Sequence, residues 1–322
     1  MGDPAGIGPQ IAVNALYNSE KRPYRVVIAG GLEILRKAAE MSGLSPAFKS
    51  VTDIDDADYT SINVLDMDEI TTSDFTPGIP QARCGKAAYH YITEAISLAM
   101  DKKAAAVVTN PISKESLKLA GINYPGHTEI FADKTNSSDY SMVFLLDNVA
   151  VAHVTTHVSL RGAVELIKKE RVLKQIRLLN RSLKSLGINP PRLAVAGLNP
   201  HAGENGIFGD EEIYEITPAI EQARGEGINV SGPYPPDTVF NRAFKGEWNG
   251  VVAMLHDHGF VALKSRDFEH GVNITVGLPI IRTSVGHGTA FDKAWKRNNS
   301  VSPASLLYAM DAAYKISSLY LK

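Results

Sequence analysis

The sequence predicts an α/β fold built on parallel strands, and three apolar runs carry this prediction. The runs cover residues 149–157, 193–201 and 251–259, and each one ends in polar, ionisable side chains. Continuous apolar runs of this length are typical of parallel strands that are buried on both faces. Strand and helix patterns also alternate along most of the chain, which indicates βαβ units. In open α/β sheets, ligands bind just beyond the carboxyl ends of the strands, so we expect the functional site there.

The first half of the chain alternates between strand and helix patterns. A glycine-rich loop at residues 2–9 leads into a helix, and its glycines suit either close approach to a ligand or a plain tight turn. Strands are predicted over residues 24–29, 62–65 and 104–108, and helices over residues 32–41, 85–103 and 114–120. Ser113 is expected to cap the helix that follows it.

The second half continues the alternation with longer elements. Two strands, over residues 141–146 and 149–157, are predicted to pair around a turn at residues 147–148. A long helix is predicted over residues 160–186, because leucine, isoleucine and valine recur at helical spacing until Gly187. Residues 273–284 are predicted to form a buried strand, and a final helix begins near Ser302.

Composition limits the possible partners. The chain of 322 residues is long enough for two domains, and 44% hydrophobic with 21% charged residues is typical of a globular protein. The formal net charge of −2 and the lack of a long basic run argue against nucleic acid or a membrane as partner. Cys84 is the only cysteine, so no intrachain disulfide can form. With no signal peptide or membrane span visible, we expect a cytoplasmic location.

Three histidines end the three apolar runs: His157, His201 and His256. If the strands are parallel neighbours, the imidazoles can converge, and three histidines at one point form a metal site with positions left for substrate. The alternative is that each histidine merely caps a strand end as a satisfied polar residue. The threefold recurrence favours the metal site.

Other residues indicate an anion site. His127 and Thr128 stand at a predicted helix start, where backbone N–H groups favour an anion, although Thr128 could equally be a plain N-cap. Arg282 lies in an apolar segment, and a buried guanidinium needs an anionic partner, either a protein carboxylate or a ligand phosphate. Asp237, in a proline-rich segment, is either a cap or a catalytic carboxylate.

Seven motifs together resemble the 4-hydroxythreonine-4-phosphate dehydrogenases of vitamin B6 (pyridoxine) biosynthesis, over nearly the whole chain. They are residues 2–9 (GDPAGIGP), 124–129 (YPGHTE), 155–157 (TTH), 199–204 (NPHAGE), 256–257 (HD), 271–275 (GVNIT) and 282–284 (RTS). Residues 205–212, 235–240 and 290–295 look more like a sister branch that acts on D-threonate or D-erythronate 4-phosphate.

The resemblance implies a fold similar to isocitrate and isopropylmalate dehydrogenases, with two α/β/α domains flanking a cleft. Domain one would comprise residues 1–120 and 293–322, and domain two, with the metal and phosphate site, residues 121–292. It also implies a homodimer with a shared active site.

The resemblance assigns roles residue by residue. A divalent cation (Zn, Mg, Mn or Co) would bind to His157, His201 and His256. The substrate would bind to His127, Thr128, Lys264, Asn273 and Arg282. NAD would bind near His287, Gly288, Thr289 and Ala290. Lys264, Asp257 and Asp237 would be the catalytic residues. The implied reaction is the oxidative decarboxylation of a 4-phosphorylated hydroxy acid.

Several positions depart from the family pattern. The family's leading strand before Gly2 is missing, Gly286 replaces an aspartate, His258 replaces a glutamine, and residues 296–299 (KRNN) replace a small stretch near the expected adenine site. Two further classes therefore stay open: a metal-dependent hydrolase or lyase, and a non-catalytic binder of phosphorylated metabolites. NAD binding and turnover distinguish both from the dehydrogenase.

Overall fold

The computed structural model describes residues 1–17, 22–267, 270–297 and 301–320 of the chain. It divides into two compact units. The first comprises Met1–Ser138 and Leu278–Ser317, and the second comprises Asp139–Gly277 with the C-terminal residues from Ser318. The sequence-based domain boundaries, after residues 120 and 292, differ from these. Residues 278–292 belong with the first unit because a strand within them pairs with residues 107–109. Of the KRNN stretch, residues 298 and 299 lie outside the described residues.

Helices and strands alternate along the described chain. The helices are α1 Gly8–Tyr17, α2 Leu32–Met41, α3 Ala82–Met100, α4 Lys114–Leu119, α5 His127–Lys134, α6 Leu160–Leu166, α7 Lys169–Ser185, α8 Thr217–Gly225, α9 Val239–Phe244, α10 His256–Arg266 and α11 Ala304–Tyr320. The strands are β1 Val27–Gly30, β2 Phe48–Val51, β3 Ile62–Asp66, β4 Val107–Thr109, β5 Ser141–Leu146, β6 Val149–His153, β7 Leu193–Ala196, β8 Val230–Tyr234, β9 Gly250–Ala253, β10 Val272–Val276 and β11 Arg282–Ser284. Within the described ranges, no helix is both long enough and apolar enough to cross a membrane.

The first unit holds only parallel strand pairs among its described strands. β3 pairs with β1 on one side and β2 on the other, and β4 pairs with β11. Ile34, Leu35 and Val64 are fully buried where α2 and the β1–β3–β2 sheet contribute to one core. The predicted cap of α4 is confirmed, since the Ser113 hydroxyl accepts a hydrogen bond from the Ser116 backbone N–H at 3.1 Å.

The glycine-rich loop before α1 packs against the protein's own backbone. A side chain at Gly2 (φ 82°) would come 2.6 Å from the carbonyl oxygen of Pro111, and one at Gly6 would come 3.1 Å from Thr289. The Ile7 backbone N–H donates to the Thr289 carbonyl at 3.0 Å. These close approaches require glycine, and they account for the loop without a ligand.

A cavity of about 400 Å³ lies inside the first unit. Its lining includes Val27 of β1, Val107 of β4, Tyr91 of α3 and Met310 of α11. β1 and β4 each stand at the end of their strand order, so the cavity lies beside two strand edges. Protein interiors rarely contain voids of this size, so the space is large enough to accept additional side chains.

The N-terminal amine adjoins this cavity. The Met1 amino group donates to the carbonyl oxygen of Ala29 on β1 at 2.9 Å. Burial lowers the pKa of this amine from 8.0 to about 5. It is therefore a buried amine that is neutral at pH 7.

The second unit contains a six-strand arrangement in the order β10–β5–β6–β9–β7–β8. β5 runs antiparallel to β10 and β6, and the β6–β9, β9–β7 and β7–β8 pairs are parallel. Val151, Val195 and Val252 of the three middle strands are fully buried. The expectation that the three apolar runs form neighbouring parallel strands is confirmed.

Two sequence-based elements are wrong. The helix predicted over residues 160–186 is broken, because Ile167 and Lys168 adopt extended backbone between α6 and α7. Glu215 holds this break by accepting from Lys168 Nζ and from the Lys169 backbone N–H, both at 2.8 Å. The strand predicted over residues 273–284 is two strands, β10 and β11, separated after Gly277, whose φ of 86° ends the extended backbone.

Candidate active site

The site in the second unit begins where β6 and β9 end. His157 lies four residues after β6, and His256 is the first residue of α10, three residues after β9. Thr155 joins the two segments, because its hydroxyl donates to the carbonyl oxygen of Met254 at 2.8 Å. The imidazoles of His157 and His256 lie with ring centroids 5.7 Å apart.

The His157–His256 pair fits a shared cation. Two imidazoles bound to one zinc ion with Zn–N distances of about 2.0–2.1 Å have their ring centroids roughly 5 Å apart. The Nδ1 atom of His256 hydrogen-bonds to Oδ1 of Asp257 at 2.7 Å, which leaves its Nε2 for a metal. A carboxylate on the second nitrogen of a histidine is the usual support of a metal ligand.

The third predicted ligand, His201, lies on an unusual turn after β7. Five consecutive residues, 201–205, have φ between 44° and 80°, and only Gly203 among them is a glycine. Each non-glycine residue in this left-handed region costs ~1–2 kcal/mol, so other contacts must hold the turn. The His201 ring lies beside Phe208, with centroids 6.0 Å apart. Among the described residues, no group of three or more metal-ligating side chains is assembled, so the three-histidine site stays a prediction.

Glu212 holds the base of this turn and was not identified from sequence. It is 3% exposed, and its Oε1 accepts from the backbone N–H groups of Leu198 and Asn199 at 2.7 and 2.8 Å. Its Oε2 accepts from the Asn199 side-chain amide at 2.9 Å. The only sequence signal was an acidic residue shortly after a glycine-rich loop, which does not reveal a buried carboxylate.

His153, the last residue of β6, was also missed. It is 4% exposed, and its ring stacks on Phe260 with centroids 4.7 Å apart and nearly parallel planes. Burial, with His256 and His258 nearby, lowers the pKa of His153 to about 3, so it is neutral at pH 7. Gly259 is required beside it, since a Cβ there would come 2.2 Å from Nε2 of His153. A histidine at the end of an apolar run was the available signal.

The remaining predicted residues of this unit lie on different elements. Lys264 is on α10, with Nζ 5.3 Å from the ring centroid of Phe260. Asp257 is on the first turn of the same helix and Asp237 is in the turn before α9, and both are exposed. Asn273 is on β10.

The first unit also holds Arg282, the predicted cation of the anion site. This side chain is 3% exposed, and its Nη2 donates to the Thr109 hydroxyl at 2.8 Å while the guanidinium lies 5.4 Å from the Phe131 ring centroid. Burial lowers the Arg282 pKa to about 9, so it stays charged at pH 7. Burial, then Arg282 and the N-terminal amine, lower the pKa of His127 well below 6.5, so His127 is neutral.

Thr128 follows His127 in the first turn of α5, which begins at His127 after Gly126. The N-cap residue of this helix is Gly126, which has no side chain that could bond the first backbone N–H groups. Backbone N–H groups of the first turn of a helix favour an anion in such a position.

The predicted cofactor loop, His287, Gly288, Thr289 and Ala290, also lies in the first unit. His287 Nδ1 contacts the Gly288 carbonyl at 3.1 Å, and Ala290 has a positive φ of 40°. The loop is fixed by the Thr289 carbonyl, which accepts from Ile7.

Comparisons with known proteins identify the family of this chain. The family model described as Pyridoxal phosphate biosynthetic protein PdxA matches residues 22–313. The D-threonate 4-phosphate dehydrogenase of Pectobacterium atrosepticum is 43% identical over 320 residues, covering 98% of this chain and 98% of that protein. The D-threonate 4-phosphate dehydrogenase of Salmonella typhimurium is 44% identical over 319 residues, covering 97% of each. A crystal structure of 4-hydroxythreonine-4-phosphate dehydrogenase from Klebsiella pneumoniae matches with a TM-score of 0.90 at 41% identity, covering 98% of both chains.

The fold and the relatives define the class of protein, an α/β oxidoreductase that acts on CH–OH groups. The chain belongs to the PdxA family. The predicted fold class, family and enzyme class are thereby confirmed.

Proposed function

We propose that this protein is an NAD-dependent and metal-dependent dehydrogenase that oxidatively decarboxylates D-threonate 4-phosphate. The observation that carries the metal requirement is the His157–His256 pair, with the Asp257 carboxylate on the second nitrogen of His256. The substrate follows from relatives named for D-threonate 4-phosphate that are 43% and 44% identical over nearly full length.

His157, His201 and His256 would hold the divalent cation. When bound, such a cation lowers the pKa of a coordinated substrate hydroxyl and so eases loss of its proton. Asp257 keeps the His256 ring oriented with Nε2 available. Three imidazole ligands suit Zn better than Mg or Mn, which prefer oxygen ligands.

Arg282, His127 and Thr128 would hold the substrate phosphate. Arg282 supplies the positive charge, and neutral His127 supplies one ring N–H at most. Charge-assisted hydrogen bonds of this kind fix the register of the substrate rather than performing chemistry. Asn273 would complete the recognition through its side-chain amide.

The reaction needs two proton transfers and one hydride transfer. The hydroxyl β to the carboxylate loses its proton to Asp237 or Asp257, while the hydrogen on the same carbon leaves as hydride to NAD⁺, giving a β-keto acid and NADH. The bond to the carboxylate carbon then breaks, and carbon dioxide departs. Lys264 protonates the carbon that remains, which yields a three-carbon phosphorylated ketone. His287, Gly288, Thr289 and Ala290 would contact the adenosine half of NAD.

We further propose that the protein works in the cytoplasm as a homodimer with a shared active site. Both statements rest on the family resemblance of the sequence motifs. Mixing His201→Ala, which should be inactive, with Arg282→Gln, which should be impaired only at low substrate concentration, tests the shared site when substrate is kept low. Activity should return if the two residues serve one site from different subunits, and no recovery would contradict a shared site.

The proposed function is tested with the purified protein, NAD, a divalent metal and three substrates: D-threonate, D-erythronate and 4-hydroxy-L-threonine 4-phosphates. We expect NADH and carbon dioxide in equal amounts, fastest with D-threonate 4-phosphate. His201→Ala should abolish turnover, whereas His90→Ala, whose ring is bonded to Glu69, should not. Metal binding without NAD reduction would favour a hydrolase or lyase. Phosphate binding without any turnover would favour a non-catalytic binder.

A further inference from the structure

We propose that Glu212 is a positioning residue that holds the left-handed turn carrying His201. The inference rests on the proposed metal role of His201. The hydrogen bonds by which Glu212 holds the turn, called the clamp below, form independently of that role. Glu212 begins a π-helical turn, Glu212–Ile216, and lies among buried residues rather than at the surface. π-Helical turns occur frequently at functional sites.

The carboxylate of Glu212 bonds one side of the turn and lies close to the other. Oε1 accepts the Leu198 and Asn199 backbone N–H groups, which precede His201. On the far side, a Cβ at Gly203 would lie 2.8 Å from Oε2, so only glycine fits against the carboxylate there. A Cβ at Gly197 would likewise come 2.9 Å from Oε1.

Both carboxylate oxygens of Glu212 are engaged by the protein itself. Three donors meet its two oxygens, at 2.7, 2.8 and 2.9 Å, and the side chain is 3% exposed. A buried carboxylate is tolerated only when its oxygens are satisfied in this way. Its effect on a cation must therefore pass through the turn and His201.

The turn needs this support because its backbone is strained. His201, Ala202, Glu204 and Asn205 all have φ between 44° and 57°, where side chains are disfavoured. Backbone hydrogen bonds also close the turn, from Ala202 to Asn199 at 3.1 Å, from Ile207 to Glu204 at 3.3 Å and from Phe208 to Gly203 at 3.2 Å. Strain of this kind persists only where surrounding contacts over-determine the conformation.

Glu212→Gln tests the clamp with a change of one atom. The new side-chain NH₂ would face the NH₂ of Asn199, so two donors would oppose each other. Glu211→Gln is the matched control, because among the residues that the structure describes the Glu211 carboxylate accepts from the Asn199 amide, at 2.7 Å, and from no backbone N–H.

Metal affinity is measured by calorimetry with Zn²⁺ or Mn²⁺ on the full chain. Loss of a supporting residue around a metal ligand typically weakens metal binding by about 10–100-fold. We expect Glu212→Gln to show this loss and Glu211→Gln to stay within about threefold of the wild type. In a His201→Ala background, Glu212→Gln should change metal affinity no further, because residues that act through one another are not additive. An equal further loss in that background would overturn the positioning role.

Amide hydrogen exchange separates the clamp from the proposed function. Glu212→Gln should speed exchange at Leu198 and Asn199 by at least tenfold, with the melting temperature of the protein little changed. If the wild type binds no metal but exchange still accelerates, the metal role of His201 fails and the clamp stands. If exchange at both amides is unchanged, the clamp is wrong whatever the protein binds.

Discussion

The Nδ1 atom of His256 lies 2.7 Å from Oδ1 of Asp257, the next residue on the first turn of α10. This contact fixes which ring nitrogen of His256 is available to a metal, because the N–H on Nδ1 is engaged by the carboxylate. Because the two residues are adjacent in the sequence, the contact depends only on the local conformation of the first turn of α10.

Asp257→Asn is therefore predicted to weaken metal binding and turnover by about 10–100-fold without unfolding the protein. The amide keeps the size of the side chain but removes the charge that favours the Nδ1–H tautomer. Calorimetry with Zn²⁺ and the rate of NADH formation measure the effect. Asp147→Asn, at an exposed carboxylate bonded to Arg266, is the matched control and should change neither. Unaltered metal affinity in Asp257→Asn would remove its supporting role.

Arg282→Gln is predicted to raise KM for the phosphorylated substrate by about 10–100-fold, since hydrogen bonds to charged groups contribute roughly 1.5–3 kcal/mol. kcat should fall less, because the guanidinium binds phosphate rather than the reacting carbons. Steady-state kinetics with D-threonate 4-phosphate give both numbers. Arg266→Gln, at an exposed ion pair with Asp147, should leave both unchanged. A loss in kcat alone, with KM constant, would contradict a phosphate-binding role.

The buried amine of Met1 predicts a pH effect on stability. Its pKa falls from 8.0 to about 5 on burial, so the unfolded chain binds a proton that the folded chain excludes between these values. Stability from this group is therefore complete above pH 8 and is lost as pH falls toward 5, at up to about 1.4 kcal/mol per pH unit. Unfolding of the protein with and without an acetylated N-terminus measures the difference. Parallel pH profiles for the two forms would contradict it.

The cavity in the first unit predicts that a designed N-terminal extension stabilises the protein. Five apolar, β-branched residues added before Met1 would span about 16 Å as a strand, long enough to lie along the edges of β1 and β4. Filling the cavity of about 400 Å³ should raise the melting temperature by several degrees. An extension of equal length made of glycine and serine is the control. Equal melting temperatures for the two extensions would show that the cavity does not accept a strand.

Sequence patterns predicted what depends on local periodicity and on strand burial. The runs around Val151, Val195 and Val252 indicated three buried neighbouring strands, and the structure pairs them as parallel neighbours. Polar residues directly after such strands then had to lie near one another, and His157 and His256 do.

What the sequence could not predict depends on contacts between distant residues. The break at Ile167–Lys168 follows from Glu215, far along the chain, which no helical periodicity reveals. The buried position of Glu212 depends on the left-handed turn, whose backbone N–H groups it accepts from, and no sequence pattern predicts that turn. The burial of His153 could not be predicted, because a histidine at the end of a strand can be either a polar cap or a buried ring, which here stacks on Phe260.

Anomalous X-ray scattering from crystals grown with zinc tests the central proposal most directly. We predict one strong peak in the second unit, with side-chain nitrogens of His157, His201 and His256 at about 2.0–2.1 Å. A zinc ion bound elsewhere, with these three imidazoles remaining apart, would contradict the metal-dependent dehydrogenase proposed for this chain.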